Sequence, residues 1–367
     1  MNKLFSASFV FTGTIIGAGI LALPYYLSKT NILSGIFEIL LVGGMMLIIS
    51  LMFGEICLRT KEPHQLPGLC ERYLGKKMKH LSTILSIFGM YGATIAYVEG
   101  SGTVISNLIN ISPGITKLLY FTILSSIIFF GIKGVEESEY FLTGLLIICI
   151  ITISIASMLY FRPENLPTNI FSLKPLSVIV FAFSGMVAIP QMKEILWTEK
   201  RKLKKAIIIG FLIPMFIYIF FTISALGAVG TNIDSIATVS LAKYGISFLL
   251  LGYFFTLLAT STGYISICNA IREIYNQDYH INKFLSWLLA CFPSITAIFG
   301  LANFGEILSI TGGIFMTSTI LLIIYLFEKI KKIGERQPEY SLKISNLAIL
   351  IVALFFIYII FQTILNI

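Results

Sequence analysis

Long apolar stretches, each followed by a short polar joint, repeat along the whole chain. A helix needs about 20 consecutive apolar residues to cross a bilayer, and eleven stretches reach or approach that length. The shortest of them covers residues 283 to 299. The pattern therefore predicts an all-α polytopic membrane protein with eleven transmembrane spans: residues 5–28, 31–58, 81–108, 116–132, 141–160, 174–193, 205–228, 241–271, 283–299, 303–327 and 343–365.

The composition agrees with this pattern. Of the 367 residues, 57% are hydrophobic and only 12% are charged, whereas about a quarter of residues are charged in soluble domains. The first apolar stretch continues without a small-residue cleavage site, so we interpret it as a mature helix rather than a signal peptide. The five cysteines are scattered and lack metal-ligand spacing, so we expect neither a disulfide framework nor a zinc site.

Positive residues are distributed unevenly between alternate joints. If the N-terminus is cytoplasmic, 21 of the 26 lysines and arginines lie on the cytoplasmic side. Because cytoplasmic joints carry the excess of Lys and Arg, we expect a multi-pass protein of the cell membrane with its N-terminus inside and, after eleven spans, its C-terminus outside. This asymmetry accounts for the net charge of +8 without a nucleic-acid partner, and no protein partner is evident.

Two of the predicted spans are interrupted near their centres. The first contains GTIIGAGILALP, from Gly13 to Pro24, and the sixth contains FAFSGMVAIP, from Phe181 to Pro190. Breaks at membrane depth are tolerated where the backbone is buried in protein or lines a cavity. In the first span alone, Gly13 and Gly17 have an alternative interpretation as a GxxxG packing face.

The positions of the two interruptions indicate an internal repeat. If spans one to five and six to ten are repeats, each interruption falls in the first helix of its repeat. Because each repeat has five spans, an odd number, the second repeat is inverted in the membrane relative to the first. Paired interruptions in inverted halves are typical of the binding site of secondary transporters. We therefore expect repeats over residues 1–160 and 161–330, followed by an additional C-terminal transmembrane helix over 331–367.

At these residues the sequence resembles the amino acid and auxin permease family, which includes bacterial aromatic amino acid permeases, within the amino acid, polyamine and organocation superfamily. GTIIGAGILALPYY resembles the first-helix signature, AYVEGSG (96–102) resembles the third-helix motif, and FAFSG resembles the broken sixth helix. The resemblance implies a leucine-transporter-type fold, with a five-plus-five inverted repeat, broken helices 1 and 6 and an eleventh helix. It also implies ion-coupled uptake of amino acids.

The resemblance places the substrate between the two breaks. A discontinuous helix presents unpaired N–H groups to an anion, and unwound carbonyls can hold a cation. By resemblance, the first break holds the substrate carboxylate and carbonyls of the sixth hold its amino group, while Phe181 and Phe183 wall a pocket for an apolar or aromatic side chain. The predicted substrate-binding residues are Gly17, Ala18, Gly19, Ile20, Phe181, Ala182, Phe183, Ser184 and Gly185.

Polar residues at membrane depth are candidates for ion coupling, to H+ or to Na+. Glu99 lies about a turn from the centre of the third span, where a charge is unfavourable. It could carry the coupling proton, contact the substrate ammonium, or be a protonated carboxyl hydrogen-bonded within the bundle. By resemblance, Thr260 and Ser261 of the eighth span could share a sodium ion with Ala18, although such hydroxyls also commonly link membrane helices. We expect no cofactor besides the coupling ion.

The predicted function is secondary active import of neutral amino acids, with hydrophobic or aromatic side chains favoured, by alternating access in the lipid bilayer. A membrane sensor that binds amino acids with the same interrupted helices, but without net transport, is the alternative. The sequence contains no nucleophile elbow, phosphate loop or metal motif, so we do not expect an enzyme.

Overall fold

The computed structural model describes residues 2–62, 64–130, 135–168, 171–300 and 303–366. These residues form α-helices joined by loops, short 3-10 helices and two π-helical segments, which confirms the predicted all-α class. In chain order the helices are α1 (Lys3–Ile15), α2 (Gly19–Leu27), α3 (Ile32–Arg59), α4 (Leu66–Leu74), α5 (Lys76–Ile109), α6 (Pro113–Phe130), α7 (Val135–Met158), α8 (Leu176–Ala182), α9 (Ile189–Ile195), α10 (Leu203–Val229), α11 (Ala237–Leu241), α12 (Ile246–Glu273), α13 (Lys283–Cys291), α14 (Phe304–Ile310), α15 (Thr317–Ile333) and α16 (Asn346–Leu365).

Ten of the eleven predicted spans correspond to helical segments long and apolar enough to cross a membrane. Within the described residues, nine segments meet this criterion singly, and the bent pair α1–α2 is the tenth. The ninth predicted span differs, because α13 is followed by a 3-10 helix over Phe292–Phe299 and the two together are shorter than the other spans. Pro293 lies at the start of this 3-10 helix, and its missing N–H cannot continue the α-helical ladder.

The first span is broken between α1 and α2. The two helices meet at an angle of 54° across three residues. Ile16 has φ −75° and ψ 88°, outside the helical region, and the amide of Gly17 donates to the carbonyl of Ile15 rather than four residues back. The predicted interruption is therefore a true gap in helical hydrogen bonding.

The sixth span is broken between α8 and α9. The chain leaves helical geometry at Phe183, passes through Ser184 and Gly185, and forms a 3-10 turn over Met186–Ala188 before α9 begins. Pro190 stands in the first turn of α9, where a backbone N–H has no intrahelical partner to lose. The sequence FAFSGMVAIP thus ends one short helix and begins another.

The helices that carry the breaks are packed inside the bundle. α1 packs against α7 and α10, and α8 packs against α2, α3 and the tenth span. Gly210 of α10 permits the close approach of α1, because a Cβ there would lie 2.6 Å from the carbonyl oxygen of Ser8 in α1. Both breaks are therefore surrounded by protein rather than by lipid, as the hydrogen-bonding requirement of the membrane interior demands.

Candidate functional site

A cavity of about 760 Å³ begins at the two helix breaks. Its walls are formed by the first and sixth spans together with α5, α6, α7 and α12. Most of the wall around the breaks is backbone and apolar side chain. The lining residues contributed by the two breaks and the positions next to them are Ile15, Ile16, Gly17, Gly19, Phe181, Ser184, Val187 and Ala188.

The two breaks are in direct contact with each other. A Cβ built on Gly19 would lie 2.5 Å from the Cα of Ala182, and one built on Gly185 would lie 2.5 Å from Cγ1 of Ile15. Real Cβ atoms do not approach other atoms this closely, so Gly19 allows the backbones of α2 and α8 to touch, and Gly185 leaves room for the side chain of Ile15. Residues from both breaks therefore surround one space.

Tyr97 of α5 forms the wall opposite the first break. Its hydroxyl lies 3.1 Å from the position of a Cβ on Gly17, and its ring lies 2.8 Å from that of a Cβ on Gly263 in α12. The tyrosine is thus held between two glycines and lines the cavity. It belongs to the AYVEGSG motif, where sequence reasoning singled out Glu99 and assigned Tyr97 no role.

The N-terminus of α2 faces this space. The first N–H groups of any helix lack intrahelical partners and carry the positive end of the helix dipole. Gly17 and Gly19 line the cavity where α2 begins, and the first turn of α2 has no acidic side chain. This arrangement suits a small anion such as a carboxylate.

Tyr218 of α10 contacts both breaks. Its hydroxyl oxygen lies 2.6 Å from the carbonyl oxygen of Ile15 and 2.9 Å from that of Ala182. The side chain is fully buried. No local sequence signal marks this role, because Tyr218 stands in an ordinary apolar stretch of the seventh span.

The nine predicted substrate-binding residues all lie at the breaks, but only some of them line the cavity. Gly17, Gly19, Phe181 and Ser184 do so. Phe183 is buried against α10, where its ring stacks on Phe211 at 5.0 Å between centroids. The other four are buried in the contacts around the breaks: Ala18, Ile20, Ala182 and Gly185.

Glu99 is placed away from the cavity lining and forms an ion pair. Its Oε2 lies 2.6 Å from Nζ of Lys117 in α6, and the two side chains are 12% and 7% exposed. None of the three roles that the sequence suggested for Glu99 involved a lysine partner. Gly102, one turn along α5, packs against the same lysine.

Thr260 and Ser261 link α12 to α5 and α6. The hydroxyl oxygens of Thr260 and Ser101 are 2.6 Å apart, and those of Ser261 and Tyr120 are 3.2 Å apart. Thr260 is also 2.7 Å from the carbonyl oxygen of Thr256, one turn back. The two hydroxyl residues of the predicted sodium site thus have hydroxyl partners on neighbouring helices.

A polar stripe on α12 lines the cavity. Thr262, Ser266, Asn269 and Glu273 are spaced at i, i+4, i+7 and i+11, which places them on one face of the helix. Sequence reasoning stopped at Thr260 and Ser261 and missed this face. The helical periodicity of polar residues in an otherwise apolar span is the signal that would have revealed it.

The polar stripe leads to the side of the protein that carries the N-terminus. Gln191 and Glu194 of α9 line the cavity in this direction, and Lys3, at the start of α1, donates to Thr198 just beyond α9 at 3.1 Å. The cavity therefore extends from the breaks toward the N-terminal face of the bundle.

On the opposite side, α8 is packed against the tenth span. A π-helical segment, Thr311–Met316, separates α14 from α15, and a Cβ on Gly312 within it would overlap the carbonyl of Ser177. The hydroxyls of Ser177 and Ser309 are 2.7 Å apart. Such π-segments are frequent at functional sites, and this one fixes the half of the sixth span that lies away from the cavity mouth.

Comparison with known proteins shows that almost the whole chain matches one protein family. The sequence model of the tryptophan/tyrosine permease family matches residues 1–363. The tyrosine-specific transport system 1 of Haemophilus influenzae is 23% identical over 96% of this chain and 94% of its own length. The glutamine transporter 2 of Aliivibrio fischeri is 22% identical over 93% of each chain.

A solved structure shares the fold. The crystal structure of MhsT in complex with L-phenylalanine superposes with a TM-score of 0.71 at 15% identity, covering 98% of this chain and 97% of that one. Together with the apolar helices, these likenesses identify a multi-pass integral membrane protein. Its relatives are permeases and transport systems, so it is a transport protein and not an enzyme.

Proposed function

We propose, from the premise that the chain belongs to the tryptophan/tyrosine permease family, that it imports neutral amino acids with aromatic or other hydrophobic side chains by secondary active transport. The observation that carries this proposal is the cavity at the contact between the two breaks. An amino acid combines an anion, a cation and a side chain, and the cavity offers a suitable surface for each.

The substrate carboxylate would bind at the N-terminus of α2, around Gly17 and Gly19, where the amides and the helix dipole favour an anion. The ammonium group would bind unwound carbonyls of the sixth span near Phe181 and Ser184. Phe181, together with the apolar lining residues Ala93 and Met316, would surround the side chain. This lining favours apolar side chains, and the name of the family and that of the tyrosine-specific relative agree with that preference.

Alternating access would follow from a leucine-transporter-type arrangement of eleven helices, with inverted repeats over residues 1–160 and 161–330 and an additional helix over 331–367. Positive residues favour a cytoplasmic N-terminus. With that orientation the described cavity is open to the cytoplasm, and the polar stripe on α12 lines the path by which the substrate leaves. The C-terminus would then be outside the cell.

Uptake into proteoliposomes tests this function. Purified protein is reconstituted, and uptake of labelled tyrosine, tryptophan, phenylalanine, glutamine and glycine is measured under an imposed gradient of H+ or of Na+. We expect the aromatic amino acids to be taken up and glycine not. Counterflow of labelled amino acid separates transport from the alternative function, sensing: a protein that binds substrate but shows no counterflow is a sensor.

The coupling ion is the next question, and Glu99 gives a direct experiment. Glu99→Gln removes a proton-carrying group but leaves Lys117 buried without its carboxylate, and breaking a buried ion pair costs about 3–5 kcal/mol. The double variant Glu99→Gln with Lys117→Met removes both charges and should recover most of the lost stability. If Glu99 carries the coupling proton, the double variant binds substrate but its uptake no longer depends on pH.

Two outcomes separate the coupling ions. A double variant with the wild-type pH profile excludes Glu99 as the proton carrier and leaves the pair with a structural role. A Na+ gradient that drives uptake at equal pH on both sides would instead support the sodium site at Ala18, Thr260 and Ser261, and the variant Thr260→Val should abolish that response. Thr152→Val serves as the control, because Thr152 is exposed on α7, away from the cavity lining, and its hydroxyl donates to the carbonyl of Ile148 in the same helix at 2.8 Å.

A further inference from the structure

The hydroxyl of Tyr218 is placed to act on both breaks at once. Its partners, the carbonyls of Ile15 and Ala182, belong to the last helical residues before each break. The carbonyl of Ile15 also accepts the amide of Gly17, two residues further on, whereas a helix-terminal carbonyl such as that of Ala182 has lost its intrahelical donor and needs another partner when it is buried. The single hydroxyl proton of Tyr218 is shared between the two carbonyls.

We infer that Tyr218 is a positioning residue that joins the two broken helices, so that the carboxylate-binding and ammonium-binding parts of the site keep one relative geometry. The role rests on the proposed function. Tyr218 is not among the cavity-lining residues, so it acts on the site through the backbone of the breaks rather than by touching the substrate.

The surroundings of Tyr218 hold its ring in place. Phe183, inside the sixth break, lies 5.2 Å from it between ring centroids, and Phe183 also stacks on Phe211 of the same helix α10. The side chain is fully enclosed, so water cannot replace the hydroxyl without rearrangement. Loss of the hydroxyl would therefore leave two buried carbonyls without this donor, one on each broken helix.

Tyr264 of α12 provides a matched control. It is also fully buried, and its hydroxyl also has two partners, Ser125 at 3.3 Å and Ser294 at 2.9 Å. Neither partner belongs to a break. Tyr264→Phe therefore removes a buried hydroxyl of similar environment without acting on the site.

The test compares Tyr218→Phe, Tyr264→Phe and wild type in two measurements. The first is the dissociation constant for L-tyrosine, which we expect to rise about tenfold in Tyr218→Phe, the equivalent of one strong buried hydrogen bond, and less than about twofold in Tyr264→Phe. The second is amide hydrogen exchange without substrate. Removing the shared donor should speed exchange in both segments, 16–19 and 183–185, in Tyr218→Phe only.

The exchange measurement needs no substrate, so it separates this inference from the proposed function. If wild type binds no amino acid but both breaks exchange faster in Tyr218→Phe, the proposed function fails and the link between the breaks stands. If exchange changes at one break or at neither, or if Tyr264→Phe weakens L-tyrosine binding as much, the inference is overturned. If Tyr218→Phe does not fold, amide exchange of the wild-type protein is measured at several temperatures instead. Two breaks that are joined should open with the same free energy at each temperature, and different opening free energies at the two breaks would overturn the inference.

Discussion

The two helix breaks serve one cavity but are built differently. At the first break, Gly19 brings the backbone against Ala182 with no room for a side chain, and the amide of Gly17 donates to the carbonyl of Ile15. The sixth break also contains a close glycine, Gly185, and a local backbone hydrogen bond, from the amide of Ser184 to the carbonyl of Phe181, but the hydroxyl of Ser184 donates in addition to the carbonyl of Val180 at 2.7 Å. The sixth break thus adds a side-chain hydrogen bond to the features that the two breaks share.

The largest expected effect comes from adding volume at the first break. A methyl group on Gly19 would lie 2.5 Å from the Cα of Ala182, which is backbone and cannot rotate away. Overpacking of this kind typically costs about 1–3 kcal/mol, which is equivalent to a loss of about five- to 150-fold in affinity if the cost falls on the binding site. We expect Gly19→Ala to lose most amino acid uptake and to lower thermal stability in detergent.

Gly44 in the middle of α3 is the control for this substitution. It is also a glycine within a membrane helix, but a Cβ built on it meets no atom within 4 Å. Gly44→Ala should leave uptake and thermal stability unchanged or slightly improved, since alanine is the better helix former. Equal activity of the two variants would show that the first break does not depend on close contact with the sixth.

A smaller effect is expected at Gly17, where the neighbour is a side chain rather than backbone. The Cβ of Gly17→Ala would lie 3.1 Å from the hydroxyl of Tyr97, so the ring must shift by a few tenths of an ångström. We expect the KM for uptake to rise by about two- to fivefold, corresponding to less than about 1 kcal/mol. Adding Tyr97→Phe removes the atom in contact and should return the KM toward that of Tyr97→Phe alone.

This pair also sharpens the comparison between the breaks. If the double variant is no better than Gly17→Ala, steric contact with Tyr97 is not the reason for glycine at position 17, and its conformational freedom in the gap becomes the better explanation. A Tyr97→Phe variant with strongly reduced binding would show in addition that the tyrosine hydroxyl contacts the substrate.

Local sequence signals were sufficient for the all-helical fold and for the positions of the two helix breaks. Apolar runs predicted the spans, and glycine and proline marked both breaks, because each of these signals acts within a few residues of the chain. The exception is the short ninth span, where Pro293 ends the α-helix. The alternative interpretation of Gly13 and Gly17 as one GxxxG packing face describes only part of the packing. Gly13 packs against Thr143 of α7, whereas Gly17 packs against Tyr97 of α5, so the two glycines contact different helices.

Partners distant in the chain could not be predicted in the same way. Tyr218 contacts carbonyls 203 and 36 residues away, and nothing within its own span distinguishes it from other aromatic residues. Lys117 stands at the start of the predicted fourth span, where no local signal indicates a partner, yet it is buried against Glu99 because α6 turns back along α5. Such pairs depend on how helices pack, and one sequence contains no direct record of that packing.

The smallest effect is expected at Ser184, in the sixth break. Its hydroxyl makes one hydrogen bond, to the carbonyl four residues back, and the residue is half-buried beside the cavity. Ser154 of α7 makes the same bond to Ile150 at 2.7 Å within an unbroken helix, so Ser154→Ala is the matched control. Because this bond is internal to the break, its loss of about 0.5–1.5 kcal/mol should lower the stability of the protein rather than weaken substrate binding, and Ser184→Ala should change the KM for uptake by less than about threefold. An increase of tenfold or more, absent in Ser154→Ala, would mean that the hydroxyl binds the substrate directly and that the sixth break contributes a side chain as well as backbone.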